Sequence, residues 1–346
     1  MLHPLTEMLL ARHDLAPSAA QAAALALAQP DVPEGEKIDF LAALAMKGET
    51  AAEIAAFATV YRRQAKDPGV GEWAPRAIDI VGTGGDHAGG FNISTLVTFT
   101  LASTGAVVMK HGNVGMTSKC GSADLIAALG VDLQATPEKS RAALRELGFC
   151  FFFAPAYHSA FRHVVPARKA LAARGQRTIF NLLGPLINPG RPAHTLLGVY
   201  APTLLPKFAA ALEALGSTAG VVAHGVIDAQ RGIDEITSTT NNHVITYGRW
   251  REVECAWQPE DFGLTRAPFA DLIGGDVAMN VGITKAILCG TAPQGLVDTI
   301  VLNTAVALWI LGQTPSVRDG LPLAREALLG GAVAKKIAAT GEFYRS

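Results

Sequence analysis

Two adjacent carboxylates, Asp234 and Glu235, follow Arg231-Gly232-Ile233, and two loops rich in glycine, lysine and hydroxyl groups precede them in the chain. The first loop is Gly82-Thr83-Gly84-Gly85-Asp86, continued by Gly89-Gly90-Phe91-Asn92-Ile93-Ser94-Thr95. Between a strand and a helix N-terminus, such a turn offers backbone N–H groups and the positive end of the helix dipole to a phosphate or pyrophosphate. The glycines alone fit a tight strand-to-helix turn equally well. Asp86, Asn92, Ser94 and Thr95 favour the anion site by adding carboxylate, amide and hydroxyl groups. The loop is not a common nucleotide loop, because the lysine of G-x-x-x-x-G-K-[ST] is missing and His87 stands where a dinucleotide fingerprint has its third glycine.

The second loop is Lys110-His111-Gly112-Asn113, continued by Ser118-Lys119-Cys120-Gly121-Ser122. Lys110 and Lys119 can neutralise phosphate, and Ser118 and Ser122 can donate hydrogen bonds to it; a lysine without such neighbours reads as a solvated surface charge. Asp234-Glu235 by itself reads as a solvated turn. Beside a pyrophosphate site the pair becomes a magnesium site, because Mg²⁺ takes one or two carboxylates together with substrate phosphates and water. Arg162, Arg168, Lys169, Arg174 and Arg177 lead to Thr178-Ile179-Phe180-Asn181. Most read as surface charges or helix C-terminal complements; Arg168 has a further reading as a bidentate partner for a carboxylate, which spacing alone does not single out. His158 and His163 do not share a helical face, which argues against a metal pair. No Ser/His/Asp or Cys/His arrangement marks a covalent nucleophile.

These loops need elements to hold them. Residues 5–65 have a helical pattern, with stops at Pro17, Pro30 and Pro33 and a final helix opened by Thr50, which predicts three or four short helices. Residues 66–75, with Pro68, Gly69, Gly71 and Pro75, read as a linker. Beyond it strands and helices alternate: strand 78–81, helix 96–103, strand 106–109, helix 123–129 capped by Ser122, a helix opened by Thr136-Pro137-Glu138, strand 151–153, strand 195–200, helix 206–215 and strand 220–223. Repeated strand-then-helix units predict a mostly parallel sheet with helices on both faces. Adjacent parallel strands bring both loops to one carboxyl edge, where open α/β sheets bind ligands. Strand-like pieces at 243–247 and 252–255 predict an antiparallel edge, and residues 280–339 read as helical.

At 346 residues one large α/β body plus a smaller satellite is expected. With 49% apolar and 17% charged residues the chain has the composition of a packed globular protein. The 29 basic and 30 acidic residues leave a formal charge of −1, which supplies no field to draw the chain to nucleic acid or an anionic membrane. Cys120, Cys150, Cys255 and Cys289 form no C-x-x-C pair, so neither a disulfide framework nor a zinc site is indicated, and a reducing cytoplasm is the expected setting. The N-terminus lacks a basic signal-peptide region. The apolar run 296–311 contains Asp298 and Asn303 and reads as a buried helix, not a membrane span.

In these residues the chain resembles the anthranilate phosphoribosyltransferase family of the nucleoside phosphorylase/phosphoribosyltransferase superfamily. The resemblance is carried by DIVGTGGD (79–86), FNIST (91–95), KHGN (110–113), SKCGSAD (118–124), FAPAYH (153–158), RTIFNLLGPLINP (177–189), GIDEIT (232–237) and AMKGET (45–50), and it covers essentially the whole chain. It implies an α/β fold: a small N-terminal helical domain plus a large α/β domain with a mostly parallel central sheet flanked by helices. The helical domain, 1–70, would be completed by part of 165–195 and used for homodimerisation; the α/β domain would span 76–346. The implied reaction transfers the 5-phosphoribosyl group from phosphoribosyl pyrophosphate to the amine of anthranilate, the second step of tryptophan biosynthesis. Phosphoribosyl pyrophosphate would lie on Gly82, Gly84, Gly85, Asp86, Asn92, Ser94, Thr95, Lys110 and Ser122. Ser94, Asp234 and Glu235 would hold Mg²⁺, and His111, Asn113, His158 and Arg168 would meet anthranilate, with Arg168 at its carboxylate. Lys110, Asp234 and Glu235 would act electrostatically, with no obligatory general base. Two departures stand out: Val114 follows KHGN where the family commonly has Arg, and the segment after Arg168 is slightly longer than the common form. A pyrimidine nucleoside phosphorylase and a catalytically silent nucleic-acid-binding relative are the competing readings.

Overall fold

Side chains alternate across the strands, and both sides are apolar. Leu196 and Val221 are buried in one core, whereas Leu197 and Val222, their chain neighbours, are buried in another. A sheet covered on both faces is what such doubly apolar strands require. The computed structural model describes residues 1–115, 119–251 and 255–346. Its strands are β1 (Ala77–Gly82), β2 (Val107–Gly112), β3 (Phe149–Phe153), β4 (His194–Gly198), β5 (Ala219–Val226), β6 (Gly232–Ile233), β7 (Asn241–Gly248) and β8 (Cys255–Trp257). They form one sheet in the order β3-β2-β1-β4-β5-β7-β8, with β6 also paired to β5. The first five are parallel, and β6, β7 and β8 add antiparallel. The chain winds outward from β1 through β2 to β3, then returns to the other side of β1 as β4. The strand order therefore reverses at β1, and the crevice at the carboxyl ends of β1 and β4 is the place where such sheets bind ligands.

Four helices precede the sheet: α1 (His3–Leu10), α2 (Pro17–Leu27), α3 (Glu34–Lys47) and α4 (Ala51–Gln64). Thr50 caps α4 as expected: its Oγ1 accepts the Glu53 N–H at 3.2 Å, while Glu53 Oε2 accepts the Thr50 N–H at 2.8 Å. Ile54, Phe57 and Tyr61 fall on one face of α4 and are buried. Helices α5 (Ile93–Ser103), α6 (Ser122–Ala128), α7 (Pro137–Leu147), α8 (Ala154–Tyr157), α9 (Val165–Ala172), α10 (Phe180–Leu183) and α11 (Leu205–Ala214) fill the connections between the parallel strands, and α12 (Val277–Leu288), α13 (Gln294–Ile310), α14 (Val317–Leu329) and α15 (Ala332–Arg345) close the chain. One core joins α5 and α13 to one face of the sheet; the other joins the four N-terminal helices, α9 and α11 to the opposite face. The buried Lys37 ties α3 to the segment before α9 by donating to the carbonyls of Gln29 (2.6 Å) and His163 (2.8 Å).

Among the described residues no helix is long and apolar enough to cross a membrane. Helix α13 is a core element, and the Asp298 and Asn303 that interrupt its apolar run have structural partners: Asp298 pairs with Arg325, and Asn303 Nδ2 donates to the Ile236 carbonyl at 2.6 Å. One expectation needs correcting. Ser122 does not cap the helix expected at 123–129; it is the first residue of α6, and Gly121 is the N-cap. Asp124 supplies the capping acceptor, taking the N–H groups of Gly121 (2.7 Å) and Gly115 (2.9 Å). Ser118 and residues 252–254 of the expected strand 252–255 lie outside the described residues.

Candidate functional site

Gly82 ends β1 and Gly198 ends β4, and the two are register partners. Asp234 lies directly over them. A Cβ on Gly82 would sit 2.4 Å from Asp234 Oδ2, and one on Gly198 would sit 1.6 Å from the Asp234 carbonyl oxygen. Paired glycines thus make a flat place on the sheet edge that lets the acidic loop descend onto the glycine turn. The Gly84 N–H donates to Asp234 Oδ2 at 2.6 Å, and the Asp234 N–H reaches Asp86 Oδ2 at 3.3 Å. Gly84 and Gly85 take φ of +67° and +74°, a backbone that glycine adopts without strain. The N–H groups of Gly85, Asp86 and His87 donate to no group among the described residues, so the turn keeps several donors for an anion.

Lys110 enters this cluster from β2. It is only 1% exposed, and its Nζ donates to the Ile80 carbonyl at 2.6 Å and to Ser94 Oγ at 3.0 Å. Burial lowers its pKa, and Asp79, Glu235 and Asp234 oppose that shift. The carboxylates move the other way. Burial, then the charges of Asp86 and Glu235, hold Asp234 well above the usual range; burial raises Glu235 to about 7 against the pull of Lys110. Acids crowded this way gain from a cation. The donor set suits Mg²⁺, because Asp234, Glu235 and Ser94 offer only oxygen and Mg²⁺ favours one or two carboxylates together with substrate phosphates and water.

Asn92, Ser94 and Thr95 lie where β1's loop enters α5. The Asn92 side chain bridges three segments: Nδ2 donates to the Cys120 carbonyl at 3.0 Å, and Oδ1 accepts from Asn280 Nδ2 at 2.9 Å. Thr95 Oγ1 is buried without a hydrogen-bond partner among the described residues. Asn113 Oδ1 accepts the Val114 N–H at 2.8 Å, its carbonyl accepts the Ala123 N–H at 3.1 Å, and Ser122 Oγ lies 2.3 Å from where a Gly112 Cβ would be.

His111 and His158 belong to a second group. Their rings meet edge to face at 5.2 Å, and His158 meets Phe161 at 5.7 Å. Phe161 and Phe180 are 5.3 Å apart, Tyr61 of α4 packs on both, and the Arg168 guanidinium lies 5.4 Å from the Phe180 ring centre. This aromatic wall therefore joins the N-terminal helices to the sheet edge, with Arg168 at one end and the histidines at the other. His111 Nδ1 is 3.1 Å from the Gly184 carbonyl, whereas His111 Nε2 and both His158 ring nitrogens are buried without a partner in hydrogen-bond geometry. Burial pushes the His111 pKa well down, helped by His158, and takes His158 to about 4, with the nearby Ile187 carbonyl opposing the shift. Both rings are neutral at pH 7. Burial also lowers the Arg168 pKa, opposed by Tyr61.

Several contributors were not singled out by residue type or spacing. Gly198 sits inside a strand pattern, and a glycine there is a sign of close backbone approach. Asn188 spans β1 and β2, donating to Asp79 Oδ2 at 2.8 Å and the Met109 carbonyl at 2.7 Å. Arg177, indistinguishable by spacing from its basic neighbours, reaches the glycine turn. Asn280 has no local signal.

Comparison with known proteins shows the family to which this fold belongs. Residues 74–334 match the family described as "Glycosyl transferase family, a/b domain", and residues 3–65 match its "helical bundle domain". Anthranilate phosphoribosyltransferase from Synechococcus sp. (strain JA-3-3Ab) is 43% identical over 305 residues, covering 88% of this chain and 85% of that one. The Shewanella sp. (strain MR-4) enzyme of the same name is 41% identical over 307 residues, covering 88% and 86%. Among solved structures, anthranilate phosphoribosyltransferase from Thermus thermophilus superposes with a TM-score of 0.87 at 38% identity, covering 99% of each chain. The Saccharomyces cerevisiae enzyme "in complex with PRPP and Mg" gives 0.84 at 26% identity, covering 99% of this chain and 98% of that one. With both family domains matched in order and relatives above 40% identity across most of its length, the chain belongs to the anthranilate phosphoribosyltransferases of this glycosyl transferase family.

Proposed function

We infer that the protein transfers the 5-phosphoribosyl group from phosphoribosyl pyrophosphate to the amine of anthranilate, releasing pyrophosphate, as in the second step of tryptophan biosynthesis. The observation that carries this reading is the acidic loop laid onto the glycine turn: Asp234 accepts from Gly84 at 2.6 Å above the paired Gly82 and Gly198, beside Lys110. That arrangement gives an N–H-lined turn for pyrophosphate, with oxygen ligands for a cation next to it.

In the reaction the anthranilate nitrogen forms a bond to C1 of the ribose while the C1–O bond to pyrophosphate breaks, and pyrophosphate leaves with the electron pair. The amine then releases a proton, so an obligatory general base is not required. Mg²⁺, when bound, supplies charge to the departing pyrophosphate. Asp234 and Glu235, with Ser94, would hold it. The turn of Gly82, Gly84, Gly85 and Asp86, with Asn92, Thr95, Lys110 and Ser122, would bind and orient the phosphoribosyl pyrophosphate and spread its charge. The Asn92 side chain would do so from a position already fixed by Cys120 and Asn280. His111, Asn113, His158 and Arg168 would bind anthranilate, with the neutral histidines and the aromatic wall excluding water and Arg168 meeting the carboxylate. The helical unit of residues 1–70, completed by part of 165–195, would carry a homodimer contact; the packing of α3 on α9 supports that division.

The test is loss of anthranilate fluorescence with phosphoribosyl pyrophosphate, with and without Mg²⁺. Mg²⁺-dependent consumption is expected, and an Asp234→Asn/Glu235→Gln variant should lose about 10²–10³ in turnover. Wild-type turnover in that variant would overturn the metal assignment, and phosphorolysis of thymidine or uridine in place of anthranilate consumption would overturn the reaction.

A further inference from the structure

Arg177 comes from the segment after α9, on the side of the N-terminal helices, yet its side chain ends on the glycine turn. Its Nη2 donates to the Gly85 carbonyl at 2.6 Å, and its guanidinium lies 3.9 Å from the Tyr200 ring centre. The guanidinium also covers the open face of Gly85: a Cβ there would meet Nη2 at 3.2 Å and Nη1 at 3.4 Å. Tyr200 is itself fastened to the turn, donating its N–H to Thr83 Oγ1 at 3.1 Å. The cation–π contact thus restrains the guanidinium over the Tyr200 ring, and the hydrogen bond ties it to the Gly85–Asp86 peptide. In a trans peptide the carbonyl and the following N–H point in opposite directions. A Gly85 carbonyl held toward Arg177 therefore turns the Asp86 N–H, which has no partner among the described residues, away from Arg177. Gly84, Gly85 and Gly89, at φ of +67°, +74° and +71°, have little steric preference of their own, so an outside contact must choose the orientation.

We propose that Arg177, held by Tyr200, is a positioning residue that sets the glycine turn for pyrophosphate. The proposal rests on the phosphoribosyl-transfer reading of this site. It is tested by titrating inorganic pyrophosphate with Mg²⁺ into the full-length protein, and by measuring KM for each substrate separately. Arg177→Gln should weaken pyrophosphate binding and raise KM for phosphoribosyl pyrophosphate by about tenfold, with KM for anthranilate within about twofold of wild type. Tyr200→Leu removes no charge and should reproduce the direction of that change. Arg177→Lys keeps the charge but loses the guanidinium fork that meets both the Tyr200 ring and the Gly85 carbonyl, and should resemble Arg177→Gln. Wild-type pyrophosphate affinity in Arg177→Gln, or full rescue by Arg177→Lys, would overturn the proposal while leaving the reaction intact. A wild-type protein that binds pyrophosphate but does not consume anthranilate would overturn the acceptor and leave the positioning role standing. No pyrophosphate binding by the wild type would overturn both.

Discussion

His158 is 6% exposed, is neutral in the fold and has a pKa of about 4. In the unfolded chain the same ring titrates near its ordinary value, so between about pH 6.5 and 4 the unfolded state binds a proton that the folded state refuses. Stability from this group is therefore complete above about pH 6.5 and is lost as the pH falls to about 4, by about 3 kcal/mol in total. Urea midpoints of wild type and His158→Asn from pH 7 to 4 should show a shallower acid loss in the variant, with His111 leaving it a residual slope of the same sign. Parallel curves would show that His158 is not buried neutral. Gly198 allows a second prediction at this scale. A methyl group there collides with the Asp234 backbone, so Gly198→Ala must move the acidic loop off the turn, and turnover should fall about 100-fold. Gly282→Ala, whose Cβ meets nothing within 4 Å, is the matched control and should keep its rate.

Among the elements, α4 depends on one acid. Glu53 is fully buried and accepts the N–H groups of Leu15 (2.8 Å) and Thr50 (2.8 Å) and the ammonium of Lys47 (2.8 Å). Glu53→Ala removes acceptors for a helix start, a loop and a buried cation together. It should cost about 3 kcal/mol in chemical denaturation while the folded fraction keeps its KM values; a loss under about 0.5 kcal/mol would show that Asp14 and water take over these partners. This helix was legible in the chain because Thr50 heads a helical pattern as a good N-cap; Glu53, which completes the capping box, was seen only in the fold. The parallel strands were legible for a similar reason, as short apolar runs between turn residues, and strand 78–81 became β1 with one residue added at each end. Ser122 misled because hydroxyl residues cap helices often, and the competing acceptor, Asp124, also serves Gly115 outside the helix. The contacts of Arg177 with Gly85, Asn280 with Asn92 and Asn303 with Ile236 were not legible. Each joins residues 67 or more apart in the chain, so the tertiary fold, not local pattern, selects the partner.

In the whole molecule, the site lies where two cores meet across one sheet. The glycine turn and acidic loop belong to the sheet edge, while Tyr61, Phe161, Phe180 and Arg168 bring the N-terminal helices to the same crevice. A ligand bound only by the turn would stabilise that turn alone; one whose turn is held by Arg177 should also quiet the segment that carries Arg177. Binding that favours the folded state adds about 2.7 kcal/mol at a hundredfold excess over Kd. Phosphoribosyl pyrophosphate with Mg²⁺ should thus raise the melting temperature, and the Asp234→Asn/Glu235→Gln variant should lose the Mg²⁺-dependent part of the rise. Hydrogen exchange locates the effect. Added protection is expected at residues 83–92 and also at 174–181, because opening either one breaks the Arg177–Gly85 contact. Protection confined to 83–92 would mean that the two regions open independently and that the crevice is built by the sheet edge alone.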